Sequence, residues 1–310
     1  MLTFVTTLSL VRSFPYGRRM EVVRCASPNE FLDATTSYRE QEPIRTNILG
    51  SVAISCAQGA HHYDDYLWWV VYDGDQVVGA ALRTAPYGLQ IGPMASDAAA
   101  ALALEVSLHD DRFPWVLASD ACITSFMESY RATGSPGSTR QSVWGRRDIV
   151  YEAGAIALPI VAGSYRVATL ADLNLAFQWS VDFQAFIDGV TPRVDKRDRD
   201  SLRSRITSGG LWFWCVDGAP VAMAGYASPV KFPSGTVTRI GPVYTPEEHR
   251  SNGYAAAITS VLTATLVRRG SRVMLYADAA NPTSNGVYRR IGFHAIDEVV
   301  RVDFLASTHA

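Results

Sequence analysis

Two stretches of this chain share one plan. Leu67-Trp-Trp-Val-Val-Tyr72 runs into Asp73-Gly74-Asp75 and then Val77-Val-Gly-Ala-Ala-Leu-Arg83, and Leu211-Trp-Phe-Trp-Cys-Val216 runs into Asp217-Gly218 and then a second apolar run over 221–227. Each reads as a strand, a tight turn and a returning strand: aromatic and β-branched residues suit a pleated sheet, and an Asp-Gly pair supplies the turn. Trp68-Trp69 corresponds to Trp212 to Trp214, and Gly79-Ala-Ala to Met223-Ala-Gly225. The flanking elements recur in the same order. In the first half a strand is predicted over 20–25. Ser27-Pro-Asn-Glu30 then offers an N-cap, a proline at the first helical position and a carboxylate three residues on, so a helix is predicted over 27–41. A second helix covers 47–58, then a short strand 89–94, an alanine-rich helix 95–109, a strand 115–118 and a helix 122–131. The second half repeats this with a strand over 165–169, a helix from Leu170, a charged helix over 195–206 and the hairpin. The Gly, Ala and Pro residues of 154–163 mark the boundary.

The halves part company after the hairpin. Ile240-Gly-Pro-Val-Tyr-Thr-Pro-Glu-Glu-His-Arg-Ser-Asn-Gly-Tyr-Ala255 leads from a strand through Arg250-x-x-Gly253-x-Ala255 into a helix over 254–269, whose apolar residues Ile258, Val261, Leu262 and Leu266 lie at helical spacing. First-turn N–H groups have no intrahelical partner and sit at the positive end of the helix dipole, so such a start binds anions. Gly253 and Ala255 let an anion approach the backbone, and Ser251, Asn252 and Tyr254 complete the loop. The first half has Gly92-Pro-Met-Ala-Ser-Asp-Ala-Ala-Ala instead, with neither the arginine nor the loop glycine. A strand over 272–278 and the run Asn281-Pro-Thr-Ser-Asn-Gly-Val-Tyr-Arg-Arg-Ile-Gly-Phe293 follow.

These four features in order (Val-Tyr-Thr-Pro, Arg-x-x-Gly-Tyr-Ala, the Asn281 to Tyr288 spacing, and Ile-Gly-Phe) resemble the GNAT superfamily of acyl-CoA-dependent N-acyltransferases, specifically a bacterial tandem type with a degenerate first half. The resemblance implies an α/β chain of two GNAT-like domains, each a mostly antiparallel mixed sheet flanked by helices. The first would occupy 20–155 and the catalytic one 160–310, with 1–19 poorly defined. It implies acetyl-CoA as acyl donor, transferring its acetyl group directly to a primary amine of a small molecule or peptide. A longer acyl-CoA, or a CoA-binding sensor without chemistry, is the alternative. By resemblance, Val243 and Tyr244 hydrogen-bond the pantetheine arm through the main chain, Arg250 meets the phosphates, and Asn281 and Ser284 lie near the same arm. An ordinary strand end, a solvated charge and a helix cap are the plain readings of the same residues.

Tyr288 is the candidate catalytic residue. Transfer expels a thiolate whose thiol has a pKa near 8.5, and a phenol near 10 is a suitable proton donor; packing under the sheet is its plain alternative. A lysine-like amine must lose a proton, at a cost of roughly 4 to 5 kcal/mol at neutral pH. The family's frequent glutamate on the strand before the loop is missing, since Arg239 and Gly241 stand there, so Asp278, Glu247 and Glu248 remain as candidate bases. His249 reads as structural or as an edge of the cofactor site, since its neighbour Arg250 would face phosphate. Trp179, Phe183 and Phe186 line either a core or an acceptor pocket, and the charged run Asp195-Lys-Arg-Asp-Arg-Asp200 forms either a substrate lip or a solvated face.

The 310 residues are 48% hydrophobic and 19% charged, enough for two cores. A net charge of -2 gives no attraction to nucleic acid or anionic membrane. The four cysteines, 25, 56, 122 and 215, have no metal or disulfide spacing, and His61-His62 reads as a loop pair, so no metal is expected. Residues 1–19 lack the charged leader and cleavage site of a signal peptide, and no window reaches the length of a membrane span. A soluble cytoplasmic protein is expected; nothing in the chain specifies its oligomeric state.

Overall fold

The computed structural model describes residues 10–13, 19–60, 63–109, 113–188 and 196–305. Over these the chain divides into two compact units, unit 1 from Met1–Ala57, Tyr63–Asp148 and Asp297–Ala310, and unit 2 from Gln58–His62 and Ile149–Ile296.

Unit 1 opens with β1 (Leu10–Ser13) and β2 (Arg19–Cys25), which pair antiparallel with Leu10 opposite Val22. The helix predicted over 27–41 is two helices, α1 (Pro28–Ala34) and α2 (Thr36–Gln41). Ser27 caps the first as expected, its hydroxyl accepting the Glu30 N–H. Thr35 stands between them at φ -94° and ψ 4°, and its hydroxyl donates back to the Phe31 carbonyl and accepts Arg39 Nε, a back-bond of the kind that bends helices. After α3 (Asn47–Ala57) come β3 (Tyr66–Asp73), β4 (Gln76–Thr84), β5 (Leu89–Ile91), α4 (Ser96–His109), β6 (Trp115–Ala118) and α5 (Asp120–Ala132). Strand β5 stops at Ile91, short of the predicted 94.

Next, β7 (Ser142–Ala153) crosses from unit 1 to unit 2 between residues 148 and 149, ahead of the glycine-rich segment that marks the boundary in the sequence. Unit 2 continues with β8 (Ser164–Val167), a 3-10 turn at Leu170–Asp172, α6 (Leu173–Asp188), α7 (Lys196–Thr207), β9 (Leu211–Val216), β10 (Ala219–Tyr226), β11 (Val230–Phe232) and β12 (Gly235–Tyr244). It ends with α8 (Tyr254–Arg268), β13 (Ser271–Asp278), α9 (Pro282–Arg290) and the first residues of β14 (Phe293–Phe304). From Asp297 onward β14 belongs to unit 1, whereas the sequence reading gave the whole of 160–310 to one domain.

In unit 1 the strand order is β1-β2-β3-β4-β5-β6-β14, antiparallel except for β5 beside β6. In unit 2 it is β7-β13-β12-β10-β9-β8, with β11 pairing β12 and the β12–β13 ladder parallel. The tryptophan-rich strands explain why both units need helices on two faces. Side chains alternate along a strand, so Trp69 and Val71 enter a core with α4 and α5, while Trp68 and Val70 enter another with Phe31 and Leu49. Unit 2 repeats the device. Trp212 and Trp214 pack with Ile258 and Leu262 of α8, and Leu211, Phe213 and Cys215 pack with Leu173 and Ala176 of α6 and Leu202 and Ile206 of α7. Burying each large apolar side chain is worth roughly 1.5 to 3 kcal/mol, so the alternation ties both helical layers to one strand. Asp217 and Gly218 both take positive φ, 49° and 81°, as their turn requires.

Among the described residues no helix is long and apolar enough to cross a membrane.

Candidate active site

Strand β12 is paired on both edges for only part of its length. Its parallel ladder with β13 runs from Thr236 opposite Ser271 to Arg239 opposite Met274 and stops there, although β12 continues to Tyr244 and β13 to Asp278. On the other edge Val243 and Tyr244 stay in register with Ala224 and Met223 of β10, past an irregularity between Ala224 and Tyr226. Pro242 lies within that irregularity and has no N–H to give. Arg205 Nη1 donates to the Gly241 carbonyl at 3.2 Å. The last residues of β12 therefore keep one edge for β10 and leave the other without a strand partner toward β13.

Beyond Thr245 the chain makes a 3-10 turn at Glu247–His249 and a loop that is stitched to itself. Arg250 Nε donates to the Thr245 carbonyl, and Asn252 Nδ2 to the carbonyls of His249 and Arg250. Ser251 and Gly253 have positive φ, 65° and 80°. Helix α8 makes its first intrahelical bond from Ala257 N–H to the Gly253 carbonyl, so the N–H groups of Tyr254, Ala255 and Ala256 have no intrahelical acceptor. No acidic residue stands in that first turn. Ser251, Asn252 and Gly253 are exposed, while Tyr254 and Ala255 are half-buried. N–H groups left without acceptors at a helix start favour an anion.

Helix α9 begins at an Asn281 cap. Asn281 Oδ1 accepts the Ser284 N–H at 3.0 Å, and the Ser284 hydroxyl donates to the Asn281 carbonyl at 3.2 Å. Both therefore serve the helix start, and the Asn281 amide nitrogen is left over for another partner. One turn later Tyr288 is half-buried, its ring centroid 6.1 Å from that of Tyr151 and 6.0 Å from that of Phe293. Burial pushes its phenol up to about 12. Val243, Tyr254 and Tyr288 all pack against the same hydrophobic core, which brings the strand end, the loop helix and the candidate donor to one cluster.

Other candidates sort differently. Asp278 Oδ1 accepts the Ala280 N–H at 2.9 Å, so it is engaged in the turn after β13. Glu247 and Glu248 are exposed and His249 is half-buried. Trp179 is buried, edge-on to Phe213 at 5.5 Å and 6.0 Å from Tyr244, which makes it core. Phe186 is exposed, with the Arg250 guanidinium 5.4 Å over its ring. Asp195, His61 and His62 lie outside the described residues. Burial, followed by the carboxylate of Asp182, raises the Tyr244 phenol, with Glu248 and Glu247 adding to the effect and Arg250 opposing it. Asp182 and Asn285 were not singled out in the sequence. Asn285 stands inside the Asn-Pro-Thr-Ser-Asn run, which was the available signal for it. Among the described residues no group of three His, Cys, Asp or Glu side chains is placed to hold a metal ion.

Unit 1 has a different structure at the corresponding place. Helix α4 begins five residues after the end of β5, and Asp97 in its first turn turns its own Oδ1 onto the Ala98 N–H. A Cβ at Gly92 would lie 2.4 Å from the Tyr38 hydroxyl and 2.8 Å from Leu49 Cδ1. That hydroxyl donates to the Pro93 carbonyl at 2.8 Å. Protein atoms already occupy the strand end.

Residues 232–302, which contain β12, the loop, α8, β13 and α9, match the family model described as FR47-like protein. An acetyltransferase from the GNAT family from Colwellia psychrerythraea superposes with a TM-score of 0.54 at 12% identity, covering 92% of this chain and 99% of that one. A GCN5-related N-acetyltransferase from Kribbella flavida gives 0.54 at 16% identity, covering 86% and 95%. A tandem GNAT protein from the clavulanic acid biosynthesis pathway gives 0.52 at 12% identity, covering 94% and 100%. No curated protein sequence matches significantly. The chain thus has the GNAT fold, in the tandem form that the sequence motifs indicated. Within it, residues 232–302 are the FR47-like segment.

Proposed function

We propose that unit 2 binds acetyl-CoA and transfers its acetyl group directly to a primary amine of a small molecule or peptide. The observation that carries this reading is the early end of the β12–β13 ladder, beside a helix start whose N–H groups are unused. Main-chain groups of Val243 and Tyr244 on the open edge are suited to the amides of a pantetheine arm. The N–H groups of the loop from Ser251 to Ala255, with Arg250, are suited to the pyrophosphate: the dipole favours an anion, no carboxylate competes in the first turn, and Gly253 presents no side chain. The Asn281 amide and Ser284 complete the pocket wall. When bound, acetyl-CoA supplies an activated thioester. Tyr288 donates a hydrogen bond, and then its proton, toward the departing sulfur. Arg250 moves from its contact with Phe186 to the phosphates.

Two linked measurements test this. Calorimetric titration with acetyl-CoA is expected to give a stoichiometry near one per chain, because Tyr38 and Asp97 occupy the corresponding features of unit 1. A panel of primary amines, screened with detection of free CoA thiol, is expected to contain an acceptor. Absence of binding overturns the proposal, binding without turnover across the panel favours a CoA sensor, and a stoichiometry near two gives unit 1 a site of its own.

A further inference from the structure

Asn285 has no part in the chemistry proposed above, yet its polar atoms are fully engaged. The side chain is 4% exposed. Its amide nitrogen donates to the carbonyl of Asp278 at the end of β13 and to that of Asn281 at the start of α9, each at 2.8 Å. Its oxygen accepts the Tyr151 hydroxyl at 3.1 Å. The helix start does not need this arrangement, since Asn281 is already its cap. A buried position is also ordinarily filled by an apolar residue. One amide instead joins β13, α9 and β7.

What this junction holds is the Tyr151 ring. Tyr151 is 0% exposed, and its ring lies against that of Tyr288 at 6.1 Å with an interplanar angle of 53°. Phe293 meets Tyr288 from another direction, at 66°. Among the described residues the Tyr288 hydroxyl has no hydrogen bond, so ring contacts and the helix backbone alone set its direction. A tyrosine ring anchored at its hydroxyl keeps both its side-chain torsions, whereas a phenylalanine in the same space keeps only its packing.

We infer that Tyr151 and Asn285 are positioning residues: the Tyr151 hydroxyl, anchored on Asn285, fixes the ring that aims the Tyr288 phenol at the reacting sulfur. The inference rests on the reading of Tyr288 as the proton donor. Neither residue touches substrate, and neither exchanges a proton in the reaction.

A double-mutant cycle separates the two ideas. Thiol release from acetyl-CoA with the best amine of the panel is compared for the native protein, Tyr151→Phe, Tyr288→Phe and the double variant. Tyr151→Phe is expected to lower kcat about tenfold through misdirection of the donor, with the acetyl-CoA affinity and its KM unchanged. In the Tyr288→Phe background the same substitution is expected to change kcat less than about twofold. A readout that needs no acceptor is the 13Cζ signal of Tyr288, assigned by its loss in Tyr288→Phe. In Tyr151→Phe it is expected to shift and to titrate at a different pH. Equal loss of kcat in both backgrounds, or an unmoved Tyr288 signal, overturns the inference. Slow turnover by Tyr288→Phe beside normal turnover by Tyr151→Phe overturns it alone, and full turnover by Tyr288→Phe overturns the donor reading along with it.

Discussion

Tyr288→Phe is expected to lower kcat by roughly 10² to 10⁴ while leaving acetyl-CoA affinity within about twofold. The ring stays, so its contacts with Tyr151 and Phe293 stay, and only the proton and one hydrogen bond are lost. Burial raises the phenol to about 12, which has two consequences of opposite sign. The group is protonated throughout the neutral range, so the donor is always loaded. It is also a weaker acid than a free phenol, so handing its proton outright to a thiolate whose conjugate acid lies near 8.5 is uphill. On the proposed reading the Tyr288 hydrogen bond therefore strengthens as charge grows on sulfur, and its proton passes over only as it is replaced by the one that the amine nitrogen, neutral when it attacks, loses once its bond to the acetyl carbon has formed. The pH dependence follows from this. A raised pKa means that the proton is retained as pH rises and is lost only near pH 12, so a rise of kcat/KM through the neutral range reports deprotonation of the acceptor amine, and no alkaline fall below about pH 11 belongs to Tyr288. Normal turnover by a folded Tyr288→Phe protein would make this residue a packing group.

Gly253→Val is expected to weaken acetyl-CoA binding by an order of magnitude or more, read by calorimetry on protein with native circular dichroism. Two costs coincide at this position. At φ +80° a β-branched residue is strained by about 1 to 3 kcal/mol. A Cβ there would also stand 3.2 Å from Val161 Cγ2, closer than ordinary packing allows. Either the loop rotates, taking the Tyr254 and Ala255 N–H groups off their common direction, or the added methyls cover the approach of the phosphate. Unchanged affinity in a folded variant would remove the loop from the binding site.

The elements that were legible in the sequence are those whose signals are local. The Trp-rich strands with their Asp-Gly turn, the Ser27 cap, the start of α8 and the Asn281 cap each depend on residues within a few positions of one another, and each lies where its residues placed it. Strand β7 was not foreseen, because its first half, Ser142-Val-Trp-Gly-Arg-Arg-Asp148, is largely exposed and shows no clean alternation; only Asp148 to Tyr151 is buried. The first helix breaks at Thr35, whose hydroxyl bonds back to the Phe31 carbonyl, a local detail that periodicity cannot register. At the candidate site, the loop from Arg250 to Ala255 was visible as a pattern of glycine and charge. The junction of Tyr151, Asn285 and Asp278 was not, because it unites strands and a helix more than a hundred residues apart in the chain. Trp179 shows the converse: its spacing allowed a core or a pocket, and only its neighbours Phe213 and Tyr244 decide for core.

The last strand sets the timetable on which unit 1 becomes complete. Strand β6 finds its outer neighbour only in β14, where Leu117 lies opposite Arg301 and Val300 and Val302 enter the unit 1 core. Nearly all of unit 2 is encoded between those partners. At a synthesis rate of about 5 to 20 residues per second, the roughly 180 residues between them occupy about 10 to 40 s, during which β6 has an open edge and the core lacks its closing side chains. Unit 1 begins first and is finished last, so the unit without the candidate site completes its sheet only after the segment that carries Tyr288 has been made.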